Sequence, residues 1–167
     1  MNGEPLPIDH GFPVRMVTPG LYGYVSACKW LVELELTSFA DVDAYWIRRG
    51  WAAQGPIKTQ SRIDVPRRRQ EVRPGRFVVA GVAWAQHVGI SRVEVSVDGG
   101  GWHEATLAET ASVDTWRQWS WPWDATAGRH TLRVRATDAE GRTQPEDRRP
   151  IFPDGATGWH TTTVEVR

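Results

Sequence analysis

Arg92-Val93-Glu94-Val95-Ser96-Val97 alternates polar and apolar residues without a break and runs straight into Asp98-Gly99-Gly100-Gly101. A period of two puts the three valines on one face of an extended chain, and the glycines supply the positive φ that a tight hairpin turn needs. The pattern therefore dictates a half-buried strand that ends in a hairpin, and it recurs. Pro74-Gly75 leads into FVVAGVAWA, a tryptophan-rich stretch follows at 116–123, His130 to Ala136 alternates again before a turn at Asp138 to Gly141, and the last residues read HTTTVEVR. About seven short strands at this spacing predict an antiparallel β-sandwich of immunoglobulin-like type. Only one cysteine, Cys28, is present, so the fold lacks the paired cysteines of antibody domains.

Residues 1 to about 60 have a different texture. Proline and glycine recur at Pro5, Pro7, Gly11, Pro13, Pro19, Gly20 and Gly23, and an apolar run from Trp30 to Leu36 contains the alternating LVELEL. Turns, one or two short strands and a weak helical turn from Ser38 to Tyr45, capped by Ser38, are predicted. Such a segment does not look self-sufficient. The expected organisation is an irregular segment over 1–60 followed by the sandwich over 61–167, mostly β overall.

The totals exclude several function classes. Twenty Lys and Arg balance twenty Asp and Glu, so the summed field gives no reason to expect nucleic acid or an acidic membrane as partner. No run approaches the ~18 apolar residues of a membrane span. Glu4, Pro5, Pro7 and Asp9 interrupt any apolar signal sequence, and the compartment stays open. Five histidines, at 10, 87, 103, 130 and 160, show no metal-ligand spacing, so no protein-ligated metal is expected. No catalytic constellation is legible, and Cys28 reads as a small buried apolar residue.

Three stretches carry candidate sites. Arg67-Arg68-Arg69, with Arg62, Arg73 and Arg76, forms a basic stripe in a proline-flanked connection, read as a solvated linker face in preference to an anion site. WRQWSWPW places Trp119, Trp121 and Trp123 on one face of a strand. That row belongs to a core or an interface, or else forms a platform for sugar rings, which would make the chain a stand-alone carbohydrate-binding module. HGFPVR brackets an apolar core with His10 and Arg15, and Lys29 follows a series of chain reversals. A His, an Arg fork and a Lys point charge meeting on one face suit a dianionic phosphate; three unrelated surface charges is the alternative.

NGEPLPIDHGFPVRMVTPGLYG followed by CKWL resembles the closing stretch of the molybdenum-cofactor domain of the sulfite oxidase family. GVAWAQHVGISRVEVSVDGGGWHEATL, WRQW, LRVRATDAEGRTQP and GWHTTTVEV are similar to that family's C-terminal dimerisation domain, from Asn2 to Val166 in all. The resemblance implies that 1–60 is the remnant of an α+β molybdopterin-binding domain and 61–167 an immunoglobulin-like dimerisation domain. His10, Arg15 and Lys29 would then contact the molybdopterin, within an oxidoreductase that moves oxygen atoms and passes electrons to a separate acceptor. The implied partners are a second copy, through the sandwich, and the upstream part of the same molybdenum domain. The family's molybdenum-ligand cysteine lies upstream of any residue here, and Cys28 does not match it. The chain is thus expected to be a C-terminal fragment that binds no cofactor and is inactive by itself. Ile151-Phe152-Pro153-Asp154-Gly155 lacks the arginine that animal sulfite oxidases carry before the final strand, which argues against sulfite as substrate.

Overall fold

The alternation from residue 60 onward folds into two facing sheets built from nine strands. They are β3 (Gln60–Val65), β4 (Glu71–Val72), β5 (Gly75–Trp84), β6 (Ile90–Val97), β7 (Trp102–Glu104), β8 (Thr106–Leu107), β9 (Arg117–Ala125), β10 (Gly128–Asp138) and β11 (His160–Val166). One sheet runs β4-β11-β10-β6-β7 and the other β3-β5-β9-β8. The long ladders are antiparallel, with Val134 opposite Val95 and Leu132 opposite Thr162. Only the short β4 departs from the predicted antiparallel scheme, pairing parallel with β11. Antiparallel order is what short turns permit: Asp98 and Gly99 both take positive φ in the predicted hairpin.

The core lies between the sheets. Period two sends Val93, Val95, Leu132, Val134, Ala136, Val164 and Val166 inward from one sheet, and Val79, Ala83, Trp119, Trp123 and Ala125 from the other. The opposite face of β10 carries Arg133 and Arg135; Arg135 lies 4.1 Å from the Trp102 ring centroid and donates from Nε to Glu94 Oε2 at 2.9 Å. Charge on the outer face is thereby paired and stacked, while apolar area on the inner face leaves water at roughly 25 cal/mol per Å².

All 167 residues are described in this computed structural model, and they form two compact units, 1–57 with 150–156, and 58–149 with 157–167. The first unit contains a 3-10 turn at Ile8–His10, the two-residue strands β1 (Met16–Val17) and β2 (Ala27–Cys28), one helical turn α1 (Gly23–Ser26), and a 3-10 turn at Ile47–Arg49. β1 and β2 pair antiparallel, Met16 opposite Cys28. Segment 150–156 joins this unit through aromatic contacts: Trp51 sits 4.8 Å from Tyr24 and 5.4 Å from Phe152. Pro153 O accepts from the Ala52 N–H at 3.1 Å.

Two local expectations fail here for physical reasons. Leu31 to Leu36 forms no strand, because alternation makes a sheet only where an edge is available. Ser38 caps no helix; its hydroxyl bonds Asp41 Oδ2 at 2.6 Å and closes a turn instead.

Candidate functional site

HGFPVR is organised around Gly11. The 3-10 turn ends there with φ +116, and the Gly11 N–H donates to Ile8 O at 3.1 Å. A Cβ on Gly11 would stand 3.0 Å from Arg15 Cβ and 3.5 Å from the Lys29 Cα, so the Arg15 stem and the Lys29 backbone close directly over this glycine. The Arg15 stem and the Lys29 backbone thus meet at Gly11, the residue that follows His10 in sequence. Two further bonds strap the turn: Lys29 Nζ donates to Asp9 O at 2.7 Å and Trp30 Nε1 to Ile8 O at 2.8 Å. Trp30 holds φ +53 to make its reach, a conformation that few non-glycine residues adopt.

The three side chains are exposed. Lys29 uses one ammonium donor within the chain, whereas the Arg15 guanidinium and the His10 ring form no side-chain hydrogen bond or ion pair. A cluster of donors without acceptor side chains is chemically suited to a bound anion, and a planar guanidinium offers two parallel donors to a phosphate. Gly11 and Trp30 belong to the HGFPVR and CKWL stretches singled out in the sequence, and the structure adds their roles: close packing at Gly11 and the Trp30 bond to Ile8 O.

A second cluster surrounds Tyr24. Its hydroxyl reaches Ala52 O at 3.1 Å and Pro153 O at 3.4 Å. Burial raises its pKa above 10.0, and the charges of Asp154 and Tyr22 add to the effect. The Tyr22 ring occupies the space that a Cβ on Gly155 would need. Asp154 therefore belongs to an aromatic, partly desolvated neighbourhood.

The tryptophan row is not a platform. Trp119 and Trp123 are 2% and 6% exposed and lie in the core, with Trp121 packed against it. The row leaves no flat aromatic face for sugar rings, and the carbohydrate-module reading loses the platform it rested on. Cys28 is exposed, contrary to the buried role predicted, because a two-stranded ribbon has no second layer to cover it.

Comparison with known proteins places these stretches among described families. Residues 1–46 match the oxidoreductase molybdopterin binding domain family and residues 60–134 the bacterial Ig domain family. The mitochondrial sulfite oxidase of Rattus norvegicus is 31% identical across 99% of this chain and 35% of its own length. Along nearly its whole length the chain is similar to members of the sulfite oxidase family. Sulfite oxidase of Arabidopsis thaliana is likewise 31% identical, over 99% of this chain and 50% of the relative. Sulfane dehydrogenase SoxCD of Paracoccus pantotrophus superposes with a TM-score of 0.72 at 27% identity, over 98% of this chain and 46% of that one. The chain thus spans between a third and a half of the length of these relatives. The clasp around Gly11 lies within the stretch that matches the molybdopterin-binding family. Its donor set, an exposed Arg15 and His10 with no side-chain partner in the chain beside the Lys29 ammonium, fits the phosphate end of such a cofactor in chemistry.

Proposed function

We propose that this chain works as the C-terminal portion of a molybdopterin-dependent oxidoreductase, supplying cofactor contacts from His10, Arg15 and Lys29 and a homodimer contact from the sandwich. The molybdenum cofactor, when bound, supplies oxygen-atom transfer; the residues here position its phosphate and compensate its charge. Arg15 presents the fork, Lys29 a point charge held in place by Asp9 O, and His10 a third donor. Electrons leave through a separate acceptor.

The observation that carries this reading is the state of the first unit. It buries only Gly11, Ser26 and Gly55, none with an apolar side chain larger than hydrogen or a hydroxymethyl group, while Val32, Leu34 and Leu36 are 97%, 79% and 100% exposed. A globular unit does not present such a row to water without a partner. A segment with Val32, Leu34 and Leu36 alternating against Glu33 and Glu35 suits the edge of the remaining molybdopterin-binding domain. A second copy of the same segment would oppose glutamate to glutamate.

The test is molybdenum per protomer in the longer protein. Arg15→Ala should lower occupancy strongly, Lys29→Ala less, and Arg68→Ala almost not at all, since each charge-assisted contact contributes about 1 to 3 kcal/mol. Full occupancy in the Arg15 variant returns HGFPVR to a structural turn. The 167-residue chain alone should contain no molybdenum.

A further inference from the structure

The arginine-rich connection after β3 contains more than a solvated face. Where β3 and β11 meet at the edge of the sandwich, a cleft of about 530 Å³ is lined by Asp64, Arg67, Arg68, His160 and Thr162, with apolar walls from Ile63 and Val65. Every one of these residues belongs to the second unit.

Four features of the cleft point the same way. Thr162 is 4% exposed, and its hydroxyl has no hydrogen-bond partner in the chain. An orphaned buried hydroxyl costs about 1 to 3 kcal/mol, so its retention calls for a partner from outside. His160 accepts the Ile63 N–H at Nδ1, 3.1 Å away, which fixes the ring proton on Nε2 and makes that edge a donor. Burial, helped by the charge of Arg62, holds His160 below its ordinary 6.5, so the ring stays in this neutral donor form near neutrality. The Arg67 and Arg68 guanidinium groups enter no ion pair and no hydrogen bond within the chain; Arg67 donates only its backbone N–H, to Gln70 Oε1 at 2.8 Å. The one carboxylate of the cleft, Asp64, is already held by Arg62 at 2.7 Å.

We propose that this cleft binds a small tetrahedral oxyanion of the sulfate or phosphate class, held by the guanidinium groups of Arg67 and Arg68, His160 Nε2–H and the Thr162 hydroxyl. A tetrahedral ion offers oxygens to donors arriving from different directions, and guanidinium forks match pairs of them. The neighbouring arginine group gives the contrast. Arg69, Arg129 and Arg167 share their depression with Glu71 and Glu165, and Arg167 pairs with Glu71, so charge there is met from within the chain. The proposal does not depend on the molybdopterin reading, because it concerns the sandwich alone.

The 167-residue chain is titrated with sodium sulfate and, separately, sodium phosphate, against sodium chloride at matched ionic strength, following the His160 imidazole resonances by NMR. Sulfate stabilises most proteins by exclusion from their surface, so a rise in melting temperature alone is not the readout. Saturable movement of the His160 resonances is expected in at least one oxyanion arm and not in chloride, and the tighter arm identifies the ligand. Arg67→Ala combined with Arg68→Ala should weaken binding by about tenfold or more, and Thr162→Val by several-fold, in line with the loss of charged and neutral donors. Arg129→Ala should leave it unchanged. Non-saturating shifts, equal shifts in chloride, or unchanged affinity in the double arginine variant overturns the site.

Discussion

His130 has an acceptor against each ring nitrogen: Asp98 Oδ2 lies 2.7 Å from Nδ1 and Thr126 O lies 2.8 Å from Nε2. Both nitrogens must donate, so the imidazolium is the form that fits, and the hydrogen bond to Asp98 raises the pKa above 6.5. His160 is displaced the other way, chiefly by burial and then by the charge of Arg62. The signs then follow from linkage. The raised His130 contributes stability that is complete below 6.5 and is lost as pH climbs through its folded value. The lowered His160 contributes stability that is complete above 6.5 and is lost as pH falls toward its folded value. The melting temperature of the chain should therefore be greatest near pH 6.5 within the window from 5 to 9, a range set by histidine titration. His130→Asn should flatten the alkaline limb and His160→Asn the acid limb. A wild-type profile that is flat across this window contradicts both assignments.

At the scale of elements, Gly81 decides how the four-stranded sheet closes. It stands opposite Ile63 on β3 and Trp119 on β9, beside the irregularity between Ile63 and Val65. A Cβ there would fall 1.9 Å from Arg62 O and 2.8 Å from Trp119 Cζ2, and backbone cannot step aside as a side chain tip can. Gly81→Ala should cost at least the ~1 to 3 kcal/mol of ordinary overpacking, seen as a lower urea midpoint. Gly75→Ala meets open space and bears only the strain of φ +111, about 1 to 2 kcal/mol. Equal midpoints for Gly81→Ala and wild type would show that β3 shifts freely. The alternation that built β5 and β9 was legible in FVVAGVAWA and WRQWSWPW; the glycine's role was not, since the atom it avoids belongs to a residue nineteen positions earlier, Arg62.

For the molecule as a whole, the two units differ in what holds them. The second owns the entire set of buried apolar side chains, from Ile63 to Val166, and the first owns none. Residues 58–167 expressed alone should give a cooperative thermal transition and β-type circular dichroism, whereas 1–57 should not melt cooperatively. A cooperative transition in 1–57 would remove the argument that this unit needs a further partner. Sedimentation of the full chain at micromolar concentration should report a dimer. Replacing Val32, Leu34 and Leu36 by Thr should leave that dimer intact, because its contact is assigned to the sandwich, and should change stability by no more than about 0.5 kcal/mol, as expected for exposed positions. Loss of the dimer in this variant would move the contact to the exposed segment.

The sequence by itself determined the sandwich, because a period of two and glycine turns are local instructions that each segment obeys before it meets another. It also marked His10, Arg15 and Lys29 as one candidate group, through residue types that share an affinity for phosphate. Tertiary structure decided the rest. Phe152 reaches Trp51 across a hundred residues, Trp30 turns to φ +53 to bond Ile8 O, and Thr162 loses its partner in a cleft that exists only once β3 meets β11. None of these has a period or a spacing in the chain, because each is fixed by which surfaces the folded sheets bring together.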